Sequence, residues 1–354
     1  EDGKFLLTPQ IALDATINPD FAQAEVDQAQ VNLTRFSTFF PEKREFFQEG
    51  SGIYQFGTGS RFGASSDLIL FHTRRIGLND RREEIPILGG LKLSGKQGPL
   101  EIGALNMQTR AVGRDAGQNF TVLRGKFTLM PRSYAGFIFT RNTGSQLGGT
   151  NRAIGFDNNF SLKRYLNVQG FVSKTFSRGL DESDWTGKAA IEWNSDRWQY
   201  TAEHLRVDKN YRPELGFVRR FEAGWDGLEQ SKLEWQFKPR PGWEHVRKLN
   251  FNSSLDYIAD RHGVLDTREA RLGGGFDFQD GDVLRFTYGR NFERLQTPFR
   301  IAGGGGTVPV GDYRWNRYTT EYTVFSGKIL SGRFRFERSG FYDGSISTFS
   351  ATPL

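Results

Sequence analysis

Cysteine is absent from the 354 residues. This excludes a disulfide framework, a thiolate nucleophile and any cysteine-based metal site. Histidine is nearly as scarce. The four residues His72, His204, His245 and His262 are far apart in the chain, so no HExxH metal motif can form. No uninterrupted apolar run approaches the length of a transmembrane helix, but this does not exclude a membrane barrel, whose strands carry a much weaker apolar signal. Long runs of like charge are missing too. The 47 basic and 41 acidic residues are interleaved, which argues against a nucleic-acid-binding tail despite the net charge of +6. No GxSxG elbow and no P-loop order occurs, so Gly89, Gly90, Gly273, Gly274 and Gly275 read as sites of close backbone packing or strand coiling. No secretory leader is recognisable. The opening EDGKFLLTPQ reads as the middle of a strand running into a turn, left by a processing cut.

What is abundant is aromatic and glycine content. Phe occurs 32 times and Gly 42 times, with a mean hydropathy of −0.55. That combination suits twisted, half-wetted β-structure. Gln10–Asn18 alternates, with Ile11, Leu13, Ala15 and Ile17 on one face, and Pro19 ends it. The period is lost from Asp20 to Gly50, where an irregular, partly helical segment is expected. Leu68–Thr73 reads as a short strand. From Pro86 onward strands recur: Pro86–Gly95, Leu100–Arg110, Asn119–Leu129, Tyr134–Asn142, Ala153–Leu162, Leu166–Phe176, Thr186–Asn194, Arg197–Val207, Phe217–Trp225, Gln230–Phe237, Lys248–Ala259, Arg268–Gln279, Asp282–Glu293, Tyr313–Phe325 and Gly332–Phe341. With the early segments this makes roughly sixteen to eighteen strands, several near the length a tilted strand needs to cross a bilayer.

The two faces of these strands differ in kind. In Lys248–Ala259, Leu249, Phe251, Leu255 and Tyr257 oppose Asn250, Asn252, Ser254 and Asp256. In Gly332–Phe341, Phe334 and Phe336 oppose Arg333, Arg335 and Glu337. A soluble sandwich also alternates. The aromatic richness of the apolar face and the lack of a covering helix favour a barrel with that face in lipid and the charged face in a wet lumen. Short links such as Asn194–Asp196 and Gln279–Asp282 fit one rim; Thr143–Arg152, Ser177–Trp185 and Thr297–Asp312 fit the other.

The stretch DATINPDFAQAEVDQAQVNLTRFSTFFPEKREFFQEG at Asp14–Gly50 closely resembles a hallmark of a bacterial family of outer-membrane β-barrel domains of unknown function. FHTRRIG at Phe71–Gly77, PILGGLKLSGKQGPLEIGALNMQT at Pro86–Thr109 and YRPELGFVRR at Tyr211–Arg220 are similar to further segments of that family. The family's barrel usually lies C-terminal to a carbohydrate-binding module resembling family 9. The resemblance implies an antiparallel transmembrane β-barrel in the outer membrane, here a fragment of a larger barrel. It makes residues 1–354 one domain, with 20–50 as a plug-like segment inside it.

On these grounds Asp20, Glu25, Asp27, Arg35, Glu42, Lys43 and Arg44 are expected to line or plug the lumen. The acidic members carry no EF-hand spacing and no assignable acid/base pair, so a structural polar network is favoured over cation binding or catalysis. Arg74, Arg75, Arg81 and Arg82 form either a basic lumen ladder for anionic solutes or a solvated rim paired with Glu83 and Glu84. No catalytic motif, metal site or cofactor is predicted. The expected partners are the lipid bilayer and polar solutes, with glycans suggested by the family's appended module, and no nucleic acid. Three functions stand at this point: a porin-like passage or holding site for polar solutes, a non-conducting anchor or scaffold for an appended carbohydrate-binding domain, and a membrane-embedded glycan- or lipid-active enzyme.

Overall fold

The computed structural model describes residues 2–19, 39–57, 68–79, 84–113, 116–144, 149–180, 182–220, 226–301, 306–328 and 331–353. These residues are almost entirely antiparallel β-structure. The chain divides into two compact units. The first comprises Glu1–Ser161, Val168–Ala189 and Arg206–Gly227; the second comprises Leu162–Asn167, Ala190–Leu205 and Leu228–Leu354.

In the first unit, β1 (Asp2–Thr8) and β2 (Ile11–Ile17) form a hairpin. Two one-turn helices follow, α1 (Glu45–Gln48) and α2 (Ser51–Tyr54), then the short β3 (Leu68–Ile69). β2 then pairs with β4 (Ile87–Gln97), so the helices belong to an insertion between neighbouring strands. The ladder continues through β5 (Leu100–Thr109), β6 (Asn119–Met130), β7 (Ser133–Thr143) and β8 (Thr150–Leu162). Links alternate in length. Pro9–Gln10, Gly98–Pro99 and Pro131–Arg132 are two-residue turns, whereas 110–118 and 144–149 are wider. The turn at Gly98 requires a left-handed residue (φ +58°), which glycine adopts without penalty. β9 (Leu166–Phe176), β10 (Trp185–Asn194) and β11 (Trp198–Val207) follow, each with residues in both units, then β12 (Phe217–Val218) of the first unit, which pairs with β3.

The second unit runs β13 (Leu228–Phe237), β14 (Val246–Ala259), β15 (Leu265–Phe278), β16 (Val283–Leu295), the small hairpin β17 (Phe299–Arg300) and β18 (Thr307–Val308), then β19 (Gly311–Val324), β20 (Gly332–Phe341) and β21 (Gly344–Pro353). Its long strands pair in chain order.

Burial is inverted relative to a water-soluble sheet. In β8, Phe156 is 57 % exposed while its neighbour Asp157 is buried. In β10, Ile191 and Trp193 are exposed and Glu192 between them is buried. β4 exposes Leu91 and buries Lys92; β6 exposes Leu123 and buries Arg124. In the second unit the register places Phe237, Phe251, Gly274, Phe286, Thr320, Phe336 and Phe349 as successive partners across seven strands. Of these, Phe251, Phe286, Phe336 and Phe349 are exposed. The opposite face pairs Arg285 with Asp277, Lys248 with Asp277 (3.1 Å), Arg317 with Glu337 (3.5 Å) and Arg335 with Glu337 (2.7 Å). Contiguous exposed aromatic surface of this extent marks contact with something other than water.

Three expectations need correction. The strand expected over Leu68–Thr73 covers only Leu68–Ile69, because Thr73–Arg75 turns as a 3-10 segment, with Ile76 N–H donating to Thr73 O. Over Phe217–Trp225 only Phe217–Val218 is strand within the described residues. β21 was not anticipated: its sequence GSISTFSATP has small residues and one Phe where its neighbours carry aromatics at every second position.

Candidate functional site

Residues 39–57 lie against the buried polar face of β2–β8. The FFPEKREFF stretch cannot extend as a strand at Pro41, and Gly50 interrupts the helix (φ +68°), so α1 and α2 form a broken, compact segment. The wall is glycine where the segment's rings touch it. A Cβ at Gly103 would stand 2.9 Å from the Tyr54 ring, and one at Gly155 would stand 2.5 Å from the Phe56 ring.

Two buried ion pairs join wall to segment. Arg124 and Asp157 form a bidentate pair at 2.7 Å for both bonds, with both side chains 0 % exposed. Arg124 also donates to Gln55 O (2.9 Å) and Phe137 O (3.0 Å), and lies over the Phe56 ring. Asp157 accepts further bonds from Gly57 N–H (3.1 Å) and Tyr134 O–H (3.2 Å). Lys92 pairs with Asp14 (3.2 Å), donates to Phe46 O and Glu49 O, and lies 4.6 Å from the Phe46 ring centre. Each charge is thus held by a counter-charge plus backbone groups, the condition under which a buried ion pair is tolerated. Tyr54 O–H donates to Leu93 O (2.9 Å) and Ala104 O (3.0 Å). Burial, with the Asp14 charge, pushes its phenol up, so it remains a neutral donor. Lys126 reaches Gly52 O at 2.9 Å.

A second anchor fixes the start of the segment. Arg44 grips Glu42 through two nitrogens (2.9 and 2.7 Å), donates to Ile76 O and Thr73 O, and stacks on Phe47. Burial pushes the Glu42 carboxyl up, but the Arg44 guanidinium outweighs it and holds the group below the usual carboxylate range. His72 Nε2 lies 3.1 Å from Phe40 O. Burial lowers the imidazole's pKa, so the neutral ring donating to that carbonyl is the preferred form. Both groups have folded values below their ordinary ones, 4.5 for Glu42 and 6.5 for His72. Their contribution is therefore complete above pH 6.5 and is lost as pH falls, first through the histidine and then through the carboxylate. Hydrogen exchange should show amides 44–49 and 75–76 losing protection on acidification. His72→Gln should remove the early part of that loss; an unchanged profile would rule the histidine out.

The expected lumen residues separate into two sets. Asp20, Glu25, Asp27 and Arg35 lie outside the described residues, as do Arg81 and Arg82. Glu42 and Arg44 come together; Lys43 contributes its backbone N–H to Glu42 (3.0 Å). Arg74 donates to Pro41 O (3.0 Å) and Arg75 to Glu214 O (3.2 Å), so both brace backbone carbonyls around the segment. The residues that bind the segment most firmly, Asp14, Lys92, Arg124 and Asp157, were missed. The available signal was a charge set beside an apolar neighbour inside a strand, as Lys92 in GLKLS, Arg124 in VLRGK and Asp157 in GFDNN.

Among the described residues no group of His, Asp and Glu could hold a metal ion. His204 Nδ1 lies 3.0 Å from Ser231 Oγ, but no described group hydrogen-bonds its other ring nitrogen, so this is a two-member contact without the orienting residue of a triad. No helix is long and apolar enough to cross a membrane, which says nothing of strands.

No curated protein matches the chain. Among solved structures it is similar to Pseudomonas aeruginosa OccK1 (OpdK), at 10 % identity and a TM-score of 0.36 over 80 % of this chain and 81 % of that one. Residues 2–131, which carry β1–β6 and the inward segment, match the family described as Domain of unknown function (DUF5916).

Proposed function

We propose that the chain forms the wall of an outer-membrane β-barrel that passes or holds polar solutes, with residues 20–50 as an internal plug. The inverted burial supports this most directly: exposed Phe, Leu, Ile and Trp alternate with buried Asp, Lys, Arg and Glu on the same strands. Lipid would cover the first set, and a lumen shared by plug, water and solute would hold the second. The charged face of the second unit mixes signs, with Arg285, Arg317 and Arg335 among Asp277 and Glu337, which suits polar solutes generally rather than anions alone.

The buried pairs under residues 44–57 favour one other reading, a closed barrel that serves as an anchor for an appended domain. Planar-bilayer conductance separates the two. The parent protein should give small or rare steps, and a variant lacking residues 20–50 should give larger, longer ones. Insertion without current from either protein would leave the anchor; failure of both to insert would defeat the barrel itself.

A further inference from the structure

The outward face is not uniformly apolar. In the first unit, Arg141 of β7 is the direct cross-strand partner of Arg152 of β8. Both are exposed and share a face with Phe137, Ile154 and Phe156. Like charges directly opposite each other destabilise a sheet, and among the described residues neither guanidinium has a hydrogen bond or an ion pair. An open cavity of about 280 Å³ adjoins Arg152, lined also by Lys174, Phe176 and Arg178. Its one carboxylate, Asp184, is nearly buried and turned to Lys174 at 3.5 Å.

The second unit repeats the arrangement on other strands. Arg268 and Arg314 flank Phe292 as its cross-strand partners, Arg290 stands two residues back on β16, and Arg338 partners Tyr318. All four share the face of Phe286, Tyr288 and Tyr318. Arg314 lies 5.5 Å from the Phe292 ring centre, and none of the four has an ion pair among the described residues. One row further out, Arg294 is satisfied by Asp312 at 2.7 Å. The unpaired arginines are therefore a feature of particular rows rather than of the whole strand ends.

Unpaired guanidinium groups beside an aromatic, lipid-facing surface are complementary to one chemistry: a phosphate on a lipid whose acyl chains lie along the adjoining apolar rows. We infer that these two arginine clusters bind the phosphate-bearing headgroups of membrane lipids. The inference rests on the membrane reading above, which supplies the acyl-chain side of the contact. An anion between Arg141 and Arg152 would turn their repulsion into two charge-assisted hydrogen bonds.

The test uses the full chain, refolded in detergent and titrated with bis-phosphorylated lipid A, its phosphate-free counterpart, or inorganic pyrophosphate, with bound lipid counted by native mass spectrometry. The variants are Arg141→Gln/Arg152→Gln and Arg290→Gln/Arg314→Gln. Retention of heat-modifiable gel mobility shows that each variant folds, and insertion into phosphatidylcholine vesicles is scored separately. The phosphorylated lipid should bind about ten- to a hundredfold more weakly to each variant, the scale of one or two lost charged hydrogen bonds, with the phosphate-free lipid unaffected. Equal binding of the two lipids, or no effect of either double variant, in a protein that inserts normally would overturn the inference and leave the barrel intact. Pyrophosphate competing as strongly as the lipid would overturn the lipid assignment. Failure of the parent to insert into any vesicle would remove the membrane reading and the inference together.

Discussion

Replacing Asp157 with alanine will destabilise the folded protein by about 3–5 kcal/mol, the penalty for leaving a buried charge without its partner. Asp157 is the counter-ion of Arg124, and it also accepts the Gly57 N–H and the Tyr134 hydroxyl. Removing it strands a fully buried guanidinium and frees the end of the inward segment. The double replacement Arg124→Met/Asp157→Leu should cost less than the single one, because no charge then remains to be solvated. Equilibrium unfolding in urea, on protein folded into lipid vesicles, measures both. A loss below about 1 kcal/mol for Asp157→Ala would mean that water reaches the pair and that the segment is not clamped there.

An arginine placed at Phe156 or Phe286 will cost about 2–4 kcal/mol if these side chains meet the bilayer midplane. Both are about half exposed, at 57 % and 47 %. In a water-facing sheet, substitutions at exposed positions usually stay within about 0.5 kcal/mol. The two environments therefore predict effects of different size for the same change. Thr319→Arg, on the opposite face of β19, is the control and should be nearly neutral, since that face already carries Arg317 and Glu321. The same vesicle-based unfolding measurement applies. Near-neutral results at both phenylalanines would place the aromatic face in water or against protein, and the barrel reading would fall.

Strand positions were legible because period-two alternation survives even when the environments of the two faces are reversed. Lys248–Ala259 and Asp282–Glu293 were found to within a few residues as β14 and β16. β21 was not, because an edge strand exposed along its whole length needs no large residues on either face. The segment at 39–57 was legible only as a loss of period. Its partners were not, since Lys92, Arg124 and Asp157 come from strands far apart in sequence and meet only through the register of β2–β8. The pairing of Glu42 with Arg44 was accessible because those two residues stand two apart in the charged cluster after Pro41. The arginines at 74 and 75 show the opposite case. Their charge left a solute ladder and a paired rim both open, and the bonds of Arg74 to Pro41 O and Arg75 to Glu214 O depend on backbone placement that charge alone does not reveal.

The placement of the inward segment between β2 and β4 has a topological consequence. Ile17 and Gly89 are direct ladder partners, and Asn18 N–H donates to Leu88 O at the mouth of the insertion. The excursion thus leaves and rejoins the wall at one point, as a bight of rope does at a seizing. The contacts described for residues 44–57 with the wall run through side chains, as in Arg124 to Gln55 O, Tyr54 to Ala104 O and Lys92 to Glu49 O. Drawing the excursion out would break those bonds and the short β3–β12 ladder, and leave every rung between β2 and β4 in register. The wall can therefore be emptied without being opened, and excising the excursion would turn two strands distant in sequence into an ordinary hairpin.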